Sequence, residues 1–262
     1  MLAGEQGCAR EWALRHQIEV GEFFDAPDFV LVGQAHVMAD AESLGEEGVR
    51  WLEALAALPS DERRVRIPTI TDPRGVDFNT YKRLGQTDVM ADLEARTIGA
   101  LEALGVLMTN TCINYQTVFP PVRGEHLAMG DTGVVIYSNS VLGARSNFEG
   151  GPSALAAGLT GRTPRYGYHL DVRRVGTMNF HVVRAPRDLA DWGALGGIVG
   201  RATNSYWGGA GDRRHRAHAQ FRRAQALRGS AGEFWFGRAL PHAGSDAGGA
   251  DARGRFSRTD GS

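Results

Sequence analysis

Lysine is nearly missing from this chain: Lys82 is the only one among 29 basic residues, and the rest are arginine. Cysteine is scarce too. Cys8 and Cys112 cannot by themselves make a disulfide framework or a closed zinc site. No apolar run comes near the roughly 18 residues that a membrane helix needs. The N-terminal stretch mixes charge into its apolar residues from the start, which excludes a signal peptide on pattern. An excess of one charge is also lacking. The 29 basic and 30 acidic residues leave a net −1, so no bulk field draws nucleic acid or an anionic membrane. What remains is a soluble, cytoplasmic chain of 262 residues, 42% hydrophobic and 23% charged, enough for one large domain or two small ones.

The composition breaks near residue 200. Residues 201–262 contain 11 arginines and five acids, and the only large aliphatic side chains there are Leu227 and Leu240. With 11 glycines and 12 alanines besides, this stretch cannot bury enough apolar area to offset its chain entropy. It is expected to be a disordered tail or the product of a shifted reading frame. The arginine-rich segment 212–223 would suit an RNA-binding arm, but arginine is the default base of the whole chain, which weakens that reading. The expected division is residues 1–200 as the folded unit and 201–262 as the tail.

Residues 1–200 alternate between helix and strand patterns. Helices are expected over 3–24, from a Ser43/Glu46 capping box to Pro59, over Val89–Leu104 with Gly105 closing it, and over Pro152–Leu159. Short apolar runs at Asp28–Gly33, Arg64–Thr71, Val106–Thr109 and Gly133–Tyr137 read as strands. The fold class is therefore α/β with a largely parallel sheet, in which chemistry gathers at the carboxyl ends of strands. Polar residues follow every one of these runs: Gln34 to Asp40, Asp72-Pro73, Asn110 to Cys112, and Ser138 to Ser140 with Arg145 beyond.

Taken singly, these residues have plain alternatives. Cys112 reads as a buried small hydrophobe more readily than as a ligand. Glu125-His126 lacks a second histidine four residues on, so zinc-protease spacing is absent. The glycines from Gly193 to Gly200 suit close helix packing better than a phosphate loop, because no apolar strand precedes them and no lysine follows. Arg145 could clamp a substrate carboxylate or pair with Glu149 at helical spacing. Gly150-Gly151-Pro152-Ser153 could offer free amides to an anion or simply start a helix.

Several longer segments nevertheless carry a family resemblance. Thr111-Cys112-Ile113-Asn114-Tyr115-Gln116, Gly124-Glu125-His126, Ser138 to Asn147, Glu149 to Leu155 and Leu159 to Pro164 stand in the order and near the spacing found in the aconitase X family. The chain resembles that family from its N-terminus to about Gly200. The resemblance implies an aconitase-like fold of α/β units, left incomplete by the composition break. It implies a hydro-lyase that removes water from a hydroxy acid, with an iron–sulfur cluster supplying the Lewis acid.

Residue by residue, Cys112 matches the family's first cluster cysteine, while two further ligands and the small swivelling domain with its catalytic serine have no counterpart here. The resemblance assigns substrate contacts to Ala39, Asp40, Asp72, Pro73, Asp131 and Thr132, and the residue reading adds Arg145 as a candidate clamp. Asp72-Pro73 stands for the family's Asn-Pro, and Asp131-Thr132 for its Glu-Ser. In the archaeal branch, which dehydrates phosphomevalonate, small residues follow Ala-His; here Val37-Met38-Ala39-Asp40 puts a carboxylate there, which suits a cationic ring nitrogen better than a phosphate. The form of Cys112–Gln116 is also like the bacterial branch acting on cis-3-hydroxy-L-proline. The expected substrate is that hydroxy amino acid, giving 1-pyrroline-2-carboxylate. A chain with one ligand of three is expected to be an inactive piece of such an enzyme. A phosphomevalonate dehydratase or a non-catalytic binder of small acids are the alternatives.

Overall fold

A computed structural model describes residues 4–176, 178, 180–204 and the backbone of 257–258. The assignment of 201–262 as a disordered or frame-shifted tail lies, apart from 201–204 and 257–258, outside the described residues.

In chain order the elements are α1 (Cys8–Phe23), β1 (Phe29–Leu31), β2 (Ala35–Val37), α2 (Ala41–Ala56), α3 (Ser60–Arg63), β3 (Thr69–Thr71), α4 (Asp88–Ala103), α5 (Asn114–Thr117), β4 (Ala128–Met129), α6 (Thr132–Ser140), α7 (Gly150–Thr160), β5 (Arg162–Pro164), β6 (Phe180–His181), α8 (Leu189–Thr203) and β7 (Ser257–Arg258). The central sheet has the order β3-β2-β4, all parallel. Single parallel bridges extend it on both sides, Ile70 to Leu107 beyond β3 and Met129 to Phe148 beyond β4. This is the α/β class with a parallel sheet that the alternating pattern implies.

Helix α7 packs directly on β2 and is buried from Ala154 to Thr160, which its alanine- and glycine-rich sequence permits. One core joins it to α1, α2 and α4 through Ala9, Leu52, Leu55, Leu101, Leu104, Leu155 and Leu159. Trp12 of α1 meets Trp51 of α2 edge to face, with ring centroids 4.6 Å apart, and closes that core at the rim. A second cluster, Leu127, Met129, Val134, Val135 and Ala144, seats α6 against β4. Gly193–Gly200 lies within α8, where Gly196 is buried between Leu195 and Val199. That placement agrees with helix packing rather than a phosphate loop.

Four local expectations are corrected. The run Gly133–Tyr137 is not a strand but the body of α6, because the Asp131 carboxylate accepts from the Gly133 N–H and starts a helix there. A short apolar run carries no period of its own, and the cap decides it. The buried strand near residue 30 is β2, not Asp28–Gly33. β1 is largely exposed and pairs antiparallel with β5 away from the central sheet. The third correction concerns the cap of α2: Asp40 provides it, accepting from the Ser43 N–H at 2.7 Å, and no Ser43/Glu46 box forms. Glu46 turns instead to Arg96 and Arg50. Finally, Arg64–Thr71 contracts to the three residues of β3, and Val106–Thr109 to the single bridge at Leu107.

Candidate active site

All five parallel segments end on the same side, and their next residues form one polar rim. Leu107 leads to Asn110-Thr111-Cys112, β3 to Asp72-Pro73-Arg74, β2 to Met38-Ala39-Asp40, β4 to Gly130-Asp131-Thr132, and Phe148 to Glu149-Gly150. The segments can approach this closely because residue 130 is glycine. A Cβ there would lie 2.5 Å from the His36 carbonyl oxygen, on the backbone of the central strand.

The loop carrying Cys112 is held from several directions. Thr111 N–H donates to the Thr71 carbonyl at 3.3 Å, and Asn110 N–H donates to the Thr71 hydroxyl at 3.3 Å. The Asn114 side-chain amide donates to the Thr111 carbonyl at 2.7 Å and reaches the Thr71 carbonyl at 3.4 Å. His36, wholly buried in β2, bonds the same Thr111 carbonyl through Nε2 at 3.3 Å. Asn110 adopts φ +50°, a left-handed conformation uncommon outside glycine, two residues before the cysteine. Burial lowers the pKa of His36, so its ring stays neutral at physiological pH and its Nδ1 has no hydrogen-bond partner.

Charge at the rim is mostly negative. Burial, then the Asp131 and Asp72 charges, push the Cys112 thiol up to about 11. Asp72 is 9% exposed and accepts from the Ala39 N–H at 2.9 Å. Burial, reinforced by Asp40 and Asp131, raises its carboxyl to about 6. Arg74, exposed on the loop after β3, donates from Nε to the Asn110 side-chain oxygen at 3.0 Å and lies over the Phe78 ring. A small apolar cleft lined by Met38, Ala39, Leu44, Trp51 and Pro152 opens beside Asp40.

The structure thus brings together Ala39, Asp40, Asp72, Asp131 and Cys112, with Pro73 and Thr132 as their immediate chain neighbours. It does not bring Arg145 there. The Arg145 backbone bridges to His126, before β4 begins, and its guanidinium engages Asp171 and donates to the His169 carbonyl at 3.1 Å. Its acidic partner is therefore Asp171, and Glu149 is buried apart from it, accepting from the Thr163 hydroxyl at 3.3 Å. His126 belongs to this opposite end as well. Its Nδ1 lies 2.9 Å from Nδ1 of His169, and burial with the nearby His169, Arg145, Arg165 and Arg174 drops it to about 4.

Arg74 and Glu94 are the residues the sequence reading did not single out; His36 and Asn114 it named only within longer segments. Glu94 had a visible signal: it shares a helical face with Ala91, Thr97 and Leu101, where an apolar residue is the rule. Arg74 had only its place beside Asp72-Pro73.

The implied iron–sulfur cluster finds an incomplete donor set. Cys112 is the one thiol at the rim, Cys8 is exposed at the start of α1, and among the described residues no group of three or more His, Cys, Asp or Glu is placed to hold a metal ion. The described residues do not by themselves fit the group.

The chain has clear counterparts among known proteins. Residues 1–172 match the family described as aconitase X first domain. The phosphomevalonate dehydratase large subunit of Methanothermobacter thermautotrophicus is 35% identical over 77% of this chain and 50% of its own length. The cis-3-hydroxy-L-proline dehydratase of Pseudomonas aeruginosa is 30% identical over 66% of this chain and 29% of its own length. The crystal structure of Thermococcus kodakaraensis aconitase X in its holo form superposes with a TM-score of 0.68 at 30% identity, covering 77% of this chain and 49% of that one. The chain belongs to the aconitase X family, and it spans about half the length or less of the curated relatives it matches.

Proposed function

We propose that the strand-end rim is the substrate-holding part of a hydro-lyase centre, and that its substrate is a zwitterionic hydroxy amino acid of the cis-3-hydroxy-L-proline type. The observation that carries this reading is the gathering of the carboxylates Asp40, Asp72 and Asp131 around Cys112, with Arg74 two residues past Asp72 on the loop after β3. Arg74 suits the substrate carboxylate, and Asp40 suits a protonated ring nitrogen, each through charge-assisted hydrogen bonds. A substrate carrying both a phosphate and a carboxylate meets two negative groups with one arginine and is repelled by the remaining acids.

Asp72, with a carboxyl near 6, is poised to exchange a proton at neutral pH, the property required of a general acid or base. Water would leave C3 while the C2 proton is lost, giving an enamine that tautomerises to the cyclic imine. The chain's own residues bind and orient. With one thiol at the rim, the expected behaviour of this chain alone is binding with little or no elimination, which is also how a non-catalytic binder of small acids would behave.

The phosphomevalonate reading is favoured by a different observation, the 35% identity to a phosphomevalonate dehydratase large subunit. Titration calorimetry of the purified chain with cis-3-hydroxy-L-proline and with mevalonate 5-phosphate separates the two, and proton NMR of the same mixtures reads any elimination. Hydroxyproline binding at least tenfold tighter supports the proposal. Tighter binding or turnover of the phosphate ester overturns it.

A further inference from the structure

Two acids tie the loops of the rim together, and only one of them belongs to the rim itself. Asp72, on the loop after β3, reaches across to the Ala39 N–H after β2. Glu94 projects from α4 beneath both loops. It is 1% exposed, and its Oε2 accepts from the Ala41 N–H at 3.3 Å, at the first residue of α2. The same oxygen lies against Gly75, on the β3 loop three residues past Asp72, where an added Cβ would stand 3.7 Å from it. Its Oε1 is buried with no hydrogen-bond partner.

The segment Glu94 holds is nearly detached from the helix it starts. Gly45 breaks α2 with φ +61° and ψ 179°, so Ala41–Leu44 is a separate turn, closed by the Asp40 carboxylate on the Ser43 N–H. Beneath the turn lies the small apolar cleft lined in part by Leu44 and Trp51. A turn cut loose at a glycine has few bonds to fix its direction, and the bond from Ala41 to Glu94 is the one that runs to a buried, rigid helix. An apolar side chain would fill the same space without desolvating a carboxylate, so burial alone does not account for an acid at this position.

We propose that Glu94 is a positioning residue: by bonding Ala41 while packed against Gly75, it fixes where Asp40 stands relative to Asp72 and Arg74 and so sets selectivity for the cationic nitrogen of the substrate. The inference rests on the reading that Asp40 meets that nitrogen. Glu94 itself touches no substrate.

The test uses the full chain with Glu94→Leu and Glu94→Gln. Leucine keeps the volume and removes the acceptor; glutamine keeps an acceptor. Amide hydrogen exchange reads the turn directly, and calorimetry with cis-3-hydroxy-L-proline reads its consequence. Glu94→Leu is expected to melt no lower than the parent, to lose at least tenfold of the protection at Ala41, and to bind the ligand about tenfold more weakly. Glu94→Gln is expected to restore binding to within threefold. A purely structural role would move the melting temperature and leave affinity alone, which overturns the proposal, as does unchanged protection at that amide. If Glu94→Leu does not fold, Glu94→Asp, one methylene shorter, is expected to show the same two losses in smaller measure. If the parent binds no hydroxyproline, the substrate reading falls, while the exchange data still decide whether Glu94 holds the turn.

Discussion

The Cys112 thiol stands beside the Asp131 carboxylate, and burial, then the Asp131 and Asp72 charges, hold the cysteine as a thiol, pushed up to about 11. The same Asp131 side chain accepts from the Gly133 N–H and so starts α6. A cysteine prepared for ordinary nucleophilic chemistry sits in positive surroundings that lower its pKa; this one sits in the opposite field.

Removing that field should release the thiol. Asp131→Asn keeps a good helix cap but deletes the charge. At pH 8 the alkylation of Cys112 by iodoacetamide is expected to quicken about tenfold, one pKa unit's worth of thiolate. Cys8 serves as the internal reference, followed by peptide mass spectrometry. An unchanged Cys112 rate would show that burial alone holds the proton.

Asp72 makes the fold sensitive to pH. Its carboxyl is raised from an ordinary 3.8 to about 6, so the folded form binds this proton more tightly than the unfolded chain. The stabilisation is complete at acid pH, below the unfolded value, and is lost as pH rises through about 6. Asp72→Asn, which still accepts from Ala39, is expected to be more stable than the parent by about 1–2 kcal/mol at pH 7.5, after allowing for solvent screening, and equal to it near pH 4. Urea unfolding at the two pH values measures the difference.

The two arginines should separate cleanly. Arg74→Ala is expected to weaken cis-3-hydroxy-L-proline binding about tenfold with little change in melting temperature. Arg145→Met should leave affinity within twofold. Its cost falls on stability, up to about 1 kcal/mol, because its partner Asp171 lies mostly in solvent. A tenfold loss of affinity in Arg145→Met with none in Arg74→Ala would restore Arg145 as the carboxylate clamp.

Gly130→Ala tests the closeness of β2 and β4. The added methyl has only 2.5 Å to the His36 carbonyl and would have to push backbone against backbone. About 2–3 kcal/mol of stability should be lost, with a looser Cys112 loop as a second effect. Denaturant unfolding and faster exchange of the Thr111 amide check both.

The family, the α/β class and most of the rim were legible in order along the chain. Helices α4 and α7 stand within two residues of their expected positions, since apolar spacing, the Thr87 cap and the Gly105 turn act over a few residues and are written locally. Rim residues such as Asp40, Asp72 and Cys112 could be read because in a parallel sheet the residue after a strand already stands at the site.

Sequence alone determined the longer helices α1, α2, α4 and α7 and which residues follow the parallel strands. It could not choose between strand and helix for Gly133–Tyr137, because the deciding bond joins Asp131 to Gly133 only once β4 has placed the chain there. Nor could it send Arg145 to Asp171 rather than to the rim, or reveal Glu94 as the tie between two loops. The last two contacts join residues far apart in the chain, and their geometry exists only after α4, α7 and the sheet have packed and excluded water. Local spacing is a property of the chain; the direction in which a buried charge finds its partner is a property of the packed core.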